Sequence, residues 1–256
     1  MLPNFDHIKL LLDEKADLYE QPRFIEADPI AVPHQFAARA DIEIAGFFAA
    51  VLAWGTRTSI INSANRILKL MDDSPHSFIV GHQDTDLKPF VHFVHRTFNA
   101  TDLLYFIEVL QQHYRQHDSL ETAFTGTQAN DAYNVLTGFH NYFFSLEHPA
   151  RTRKHIATPA RHSACKRLNM YLRWMVRSPA RGVDFGLWKT LDPAMLICPL
   201  DVHVAAVSRR LGLLENVKSD WKNAVNLTCQ LRLMNPADPA RYDFALFGLG
   251  AEERLK

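Results

Sequence analysis

The sequence predicts an all-α protein, and three observations carry that expectation. Apolar residues recur with a period near 3.6 along most of the chain. Glycine is scarce, with 10 residues, and the β-branched residues never form a succession of short alternating runs with turns between them. That pattern disfavours a β-sandwich or barrel. Apolar residues make up 47% of 256 positions, enough to bury a sizeable core and too many for a disordered chain.

The elements follow in order. Ile42–Trp54, almost wholly apolar behind Asp41, reads as a central buried helix. Behind Thr58, residues Ile60, Ile61, Ala64, Ile67, Leu68 and Met71 share one helical stripe. Thr101 and Asp102 stand as capping residues before Leu103, Phe106, Ile107, Leu110 and Tyr114, which do the same. In Lys166–Arg177 the apolar stripe is Leu168, Tyr171, Leu172, Met175 and Val176. Asp201 is placed as the N-cap of a helix holding Val204, Ala205, Val207, Ser208 and Leu211, with Gly212 ending it. Ser219 opens a helix with Trp221, Ala224, Val225, Thr228 and Leu231 inward. Asp238-Pro239 is a cap followed by proline at the first helical position, and Gly248 and Gly250 are read as that helix's stop.

Two proline-bounded breaks, Pro22–Pro33 and His148–Pro159, are the places where lobes could separate. The expected organisation is one helical lobe from residues 1–42 plus 156–256 and a central helical lobe from 43–155. The opening stretch MLPNFDHIKLLLDEK carries acids among its apolar residues, with no signal-peptide pattern. The longest apolar run, Ile44–Trp54, is too short to span a bilayer. Cys165, Cys198 and Cys229 lie more than 30 residues apart, without metal or disulfide spacing. The expectation is a reduced, cytoplasmic, monomeric protein with no membrane partner and no cofactor.

Charge is balanced overall, with 28 Lys and Arg against 28 Asp and Glu. That excludes a generally basic nucleic-acid binder, a polybasic membrane protein and an acidic tail protein. The balance is uneven along the chain. Residues 151–189 hold ten basic residues against one acid, Asp184, which leaves +9 there and −9 elsewhere. On the helix Lys166–Arg177, the side opposite the apolar stripe carries Lys166, Asn169, Arg173 and Arg177, with Met170 at its edge. Such a face would be about 17 Å long at 1.5 Å per residue. It reads either as solvated arginines or as a footprint for phosphates, with Arg161 and Arg181 flanking it.

Two acids stand out near this block. Asp201 is either only a cap or a carboxylate kept ionised by the helix dipole. Asp243 and Phe247, four apart, project from one helix face. They are either a first-turn acid with a core aromatic or a pair that hydrogen-bonds and stacks on a base.

The lysine that opens a helix, followed about 35 residues on by Pro199-x-Asp201-x-x-Val204, resembles the helix–hairpin–helix DNA glycosylase superfamily, most of all its archaeal 8-oxoguanine branch. The strings Phe24-Ile-Glu-Ala-Asp-Pro-Ile, Glu43-Ile-Ala-Gly-Phe, Leu52-Ala-Trp-Gly-Thr-Arg57, His95-Arg-Thr-Phe-Asn99, Cys165–Arg177 and Pro199-Leu-Asp-Val-His203 also resemble a bacterial family of unknown function across nearly the whole chain. What the glycosylase resemblance implies is a two-lobed all-α fold with a cleft between the lobes. It implies a DNA glycosylase, with lyase activity through a Schiff base, acting on a damaged base, such as an oxidised one, extruded from duplex DNA. Carried over, Lys166 and Asp201 are the catalytic pair, and Asp243, Phe247, Trp54 and Met170 form the base pocket. Arg57, Arg161, Arg167, Arg173, Arg177 and Arg181 are the expected DNA contacts.

The chain departs from the superfamily where its glycine-bearing hairpin would stand, since Pro159-Ala-Arg-His-Ser-Ala-Cys165 precedes the lysine. An alternative is therefore a nucleic-acid-binding module of the same fold without chemistry. A third reading is a metal-dependent helical phosphohydrolase, drawn from the spaced pairs His92/His95 and His113/His117 and from Asp118.

Overall fold

A computed structural model describes residues 4–126, 131–251 and 253. Met1–Pro3, part of the opening stretch read above, lie outside them. The regular secondary structure of the described residues is almost entirely helical, as the periodicity predicts. In chain order the helices are α1 (Phe5–Tyr19), α2 (Pro22–Ile25), α3 (Arg39–Val51), α4 (Arg57–Leu70), α5 (Pro75–Gly81) and α6 (Ala100–Tyr114). They continue with α7 (Glu121–Thr125), α8 (Ala132–Phe143), α9 (Lys166–Val176), α10 (Val202–Arg210), α11 (Trp221–Met234) and α12 (Tyr242–Ala251). Short 3-10 turns join them. The one sheet among the described residues is a hairpin of β1 (Val94–His95) and β2 (Phe98–Asn99), with Val94 opposite Asn99 and His95 opposite Phe98.

The chain divides into two compact units. One comprises Met1–Phe24, Asp131–Tyr133 and Thr158–Lys256; the other comprises Ile25–Asn130 and Asn134–Ala157. Residues 25–42, assigned from sequence to the lobe with the termini, group instead with the central unit. The reason is local: Ile30 and Val32 are fully buried, and the 3-10 turns from Pro29 to Gln35 pack on α3.

The central unit is organised around α3, whose residues from Ile42 to Val51 are all buried. Phe47 stacks on Phe106 at 5.7 Å and meets Phe139 edge-on at 5.9 Å. Aromatic pairs of this kind add about 0.5–1.5 kcal/mol beyond their buried area. A charge sits inside this core. Glu43 is fully buried and accepts from Tyr114 Oη (2.8 Å), Ser119 Oγ (2.6 Å), the Leu120 amide (2.8 Å) and Arg39 Nε (3.1 Å). Saturating the carboxylate in this way is what makes its burial tolerable.

The terminal unit packs α1, α10, α11 and α12 around Leu12, Ala16, Val204, Ala205, Leu227, Leu231, Leu246 and Leu249. Gly248 and Gly250 do not end the last helix, as the sequence suggests; both lie within α12. Their role is close packing. A Cβ at Gly248 would lie 2.2 Å from the Tyr19 ring of α1, and one at Gly250 would lie 3.2 Å from Val207 of α10. The missing side chains let three helices approach.

Helix starts also differ from the sequence reading. Thr56, rather than Thr58, caps α4 through Ser59 N. Asn99 caps α6 in a capping box with Asp102, and Asp220 caps α11 through Asn223 N. In each case a polar residue just upstream satisfies the free first-turn amides, which is the physical requirement of a cap. The apolar stretch Ile42–Trp54 forms a helix only to Val51.

Candidate lysine–aspartate site

The terminal unit brings Lys166 and Asp201 together. Lys166 is the first residue of α9, and the backbone before it is unusual. His162 (φ 60°) and Cys165 (φ 50°) both adopt the left-handed conformation that costs a Cβ-bearing residue about 1–2 kcal/mol. Between them, Ser163 pairs with Asp220, and Ser163 Oγ accepts from the Cys165 amide at 3.1 Å. Cys165 itself is buried, and burial pushes its thiol up to about 12. This turn aims α9 so that Lys166 starts it half-exposed.

Asp201 caps α10 as expected from the sequence. Its Oδ1 accepts from both His203 N and Val204 N at 2.9 Å, which fixes the carboxylate against the helix terminus. The other oxygen, Oδ2, is left facing Lys166 Nζ at 3.8 Å. The two side chains are 30% and 23% exposed, so the pair sits at a surface that solvent or a ligand can reach.

Asp243, in the first turn of α12, is buried in the same unit. It forms an ion pair with Arg173, whose guanidinium lies 4.2 Å from the centroid of the Phe244 ring. Burial pushes the Asp243 carboxyl up, against the pull of Arg173 and then Lys166; Asp201 adds to the rise. That mutual influence ties Asp243 electrostatically to the lysine–aspartate pair. Phe247 is partly buried against the core of this unit, and Met170 is buried one turn into α9. Trp54 and Arg57 belong to the central unit, in the turn after α3 and at the start of α4.

The arginine face of α9 requires a correction. Asn169, Arg173 and Arg177 are buried, not presented to solvent. The Asn169 amide donates to the Ala164 carbonyl at 2.9 Å. Arg177 is held by Glu20 (2.8 Å), Asp184 (2.5 Å) and Asp238 (2.8 Å). Arg173 lies between Asp243 and Asp184, 3.4 Å from the latter. Arg181 is exposed but pairs with Asp17. The helical wheel separates apolar from cationic sides correctly. It cannot show that acids from α1, α12 and two connecting segments cover the cationic side. The surplus of acids in residues 1–50 is the sequence signal for part of this pairing. Of the remaining expected contacts, Arg161 is exposed, and Arg167 is half-buried, with burial pulling its guanidinium down to about 10.

One histidine of each spaced pair is engaged by protein groups at both ring nitrogens. His113 Nε2 donates to the Ser119 carbonyl at 2.9 Å while Nδ1 accepts from Tyr142 Oη at 2.7 Å. His95 Nε2 donates to the Trp54 carbonyl at 3.3 Å while Nδ1 accepts from Ser63 Oγ at 2.8 Å. Rings engaged at both nitrogens have no lone pair aimed at a metal. Among the described residues no group of three or more His, Cys, Asp or Glu is arranged to hold one. Nor is any helix of the described residues long and apolar enough to cross a membrane.

No curated protein and no solved structure matches the chain. A family model described as a protein of unknown function (DUF2400) matches residues 28–252. With nearly the whole sequence inside that match, the chain belongs to the DUF2400 family.

Proposed function

We propose that this chain is a DNA-binding protein of the base-excision type, a DNA glycosylase with the two-lobed helical fold of the helix–hairpin–helix glycosylases. Its substrate in this reading is duplex DNA with an extruded, damaged base, oxidised bases being the first to test. It acts as a cytoplasmic monomer without a cofactor. The observation that supports the reading most directly is the 3.8 Å approach of Lys166 Nζ to the Asp201 oxygen that takes no cap bond.

The chemistry follows from the residue types. Lys166, once deprotonated, attacks C1′ of the deoxyribose; the N–C1′ bond forms as the glycosidic bond breaks, and its electron pair leaves with the base, which takes up a proton. Asp201, ionised and fixed at a helix N-terminus, stabilises the positive charge that develops on the sugar. The ring oxygen then leaves C1′ as a hydroxyl and gives an imine on Lys166. Asp243 with Phe247 supplies a polar and an aromatic contact for the base.

Borohydride reduces such an imine to a stable amine, so the test is covalent trapping on duplexes carrying oxidised, alkylated or deaminated bases. The expected result is a protein–DNA adduct with wild type and none with Lys166→Gln. Asp201→Asn should slow base release by roughly two to three orders of magnitude. Neither adduct nor base release on any duplex of the panel would overturn the reading.

One observation favours a second reading, a binding module without chemistry. The turn before Lys166 is built from Pro159–Cys165 with left-handed His162 and Cys165, not from glycines. Duplex binding without base release is its signature.

A further inference from the structure

Two strings outside the Lys166–Asp201 pair meet in the central unit: Leu52–Arg57, which holds the expected base-pocket Trp54 and DNA contact Arg57, and His95–Asn99. The β1–β2 hairpin turns on Arg96 and Thr97, both exposed. Arg96 adopts a left-handed φ of 54°. Glycine or asparagine would occupy that position with less strain, so an arginine there points to a use for its side chain. The side chain lies over the Gly55 turn. Its Nη1 lies 3.2 Å from where a Cβ of Gly55 would be, and its Cδ lies 3.4 Å away. Gly55 has φ +115°, so the guanidinium rests on a turn that only glycine forms easily.

The hairpin is fastened to this turn. His95 spans from the Trp54 carbonyl to Ser63, and its ring meets the Trp54 ring edge-on at 5.1 Å. Trp54 also stacks on His155 at 5.7 Å, with 22° between the planes. Two more arginines brace this segment by its carbonyls: Arg66 donates to His92 O, just before the hairpin, at 3.3 Å, and Arg151 to Thr97 O, in its turn, at 2.9 Å. Arg151 is balanced by buried Asp102. No carboxylate among the described residues forms an ion pair with Arg96. The outcome is an exposed cation beside a half-buried indole, with Arg57 two residues beyond the glycine.

We infer that the Arg96 hairpin and the Trp54–Arg57 turn form a docking surface for duplex DNA, on which Arg96 contacts a backbone phosphate. This inference rests on the nucleic-acid reading above and extends it to the central unit. The guanidinium contributes through its charge. Its worth is set by counterion release: one phosphate contact adds about 0.9 to the salt slope of affinity, or roughly fivefold at about 0.15 M salt.

The experiment is anisotropy of a labelled, undamaged duplex titrated with the full chain at several salt concentrations. Arg96→Ala should weaken binding about fivefold and lower the slope by about 0.9, while Arg96→Lys retains the slope. Arg96→Gly separates charge from folding. It relieves the left-handed strain, so the thermal midpoint should rise while the slope falls as for alanine. Equal slopes for wild type and Arg96→Ala, in a chain that still forms the borohydride adduct, overturn the surface and leave the glycosylase reading standing. A lowered slope in Arg96→Ala without any wild-type adduct sinks the glycosylase and keeps the surface. Absence of duplex binding by wild type overturns both.

Discussion

Arg177 Nη2 lies 2.8 Å from Asp238 Oδ2, across 61 residues of chain, and Nε reaches both oxygens of the same carboxylate. The geometry is a fork on a carboxylate, with Glu20 sharing Nη2 and Asp184 on Nη1. Removing one partner of such a buried cluster leaves uncompensated charge. Arg177→Ala should therefore destabilise the chain by about 3–5 kcal/mol. Urea denaturation followed by circular dichroism measures it; a loss below about 1 kcal/mol would mean the cluster carries little of the fold.

Glycine substitutions should separate by the space around them. Gly248→Ala places a methyl 2.2 Å from the Tyr19 ring and should cost about 1–3 kcal/mol or more. Gly250→Ala meets only Val207 at 3.2 Å and should cost less. Gly81, at the end of α5, has nothing within 4 Å, so alanine there should stabilise by up to about 1 kcal/mol. Thermal midpoints in the order Gly81→Ala, wild type, Gly250→Ala, Gly248→Ala would agree with the packing.

Acid should weaken the central unit before carboxylates titrate in bulk. Burial lowers both His95 and His113 below the ordinary histidine value of 6.5. Above 6.5 neither state binds the protons, and the stability of the neutral rings is fully present. As pH falls below 6.5 the unfolded chain takes up protons that the folded chain refuses, so stability is lost. Each histidine contributes at most about 1.4 kcal/mol per pH unit in that window. Urea midpoints between pH 7.5 and pH 5 should fall, and His113→Gln should make the decline shallower. An unchanged slope in that variant counts against the burial argument.

The three thiols should report the packing directly. Cys229 is exposed, whereas Cys165 and Cys198 are buried, and burial pushes both of those thiols up. A thiol-reactive dye at pH 8 should titrate one cysteine in the native chain and three in denaturant. Fast labelling of a second native thiol would show that the start of α9 opens.

Helix interiors were legible because burial imposes the same stripe on sequence and structure. Leu103, Phe106, Ile107, Leu110 and Tyr114 are all buried on α6, as their spacing requires. Helix ends were less so, since several polar residues compete for each cap and the backbone decides among them. Of the site, Lys166 and Asp201 were paired by the resemblance, and their 3.8 Å approach is a tertiary fact that residue type and spacing do not contain. The arginine cluster was misread for the same reason. Its neutralising acids, Glu20, Asp238 and Asp243, come from both ends of the chain. Arg96 went unnoticed because its importance depends on a positive φ and a distant glycine, neither visible in one dimension.

The junction of α1 with α12 has a consequence for biosynthesis. Tyr242 Oη donates to Asp13 across 229 residues, and Gly248 seats Tyr19 on the same interface. During translation α1 is made first, yet the surface it packs against does not exist until α12 has been made. Residues 25–157 can meanwhile close much of their own core, because Phe106 and Phe139 beside Phe47, and Arg39, Tyr114, Ser119 and Leu120 around Glu43, lie within that stretch. The earliest helix thus waits with Leu12 and Ala16 uncovered while a later segment folds. Any slowing of synthesis before α12 prolongs the time in which those residues are open to chaperones and proteases.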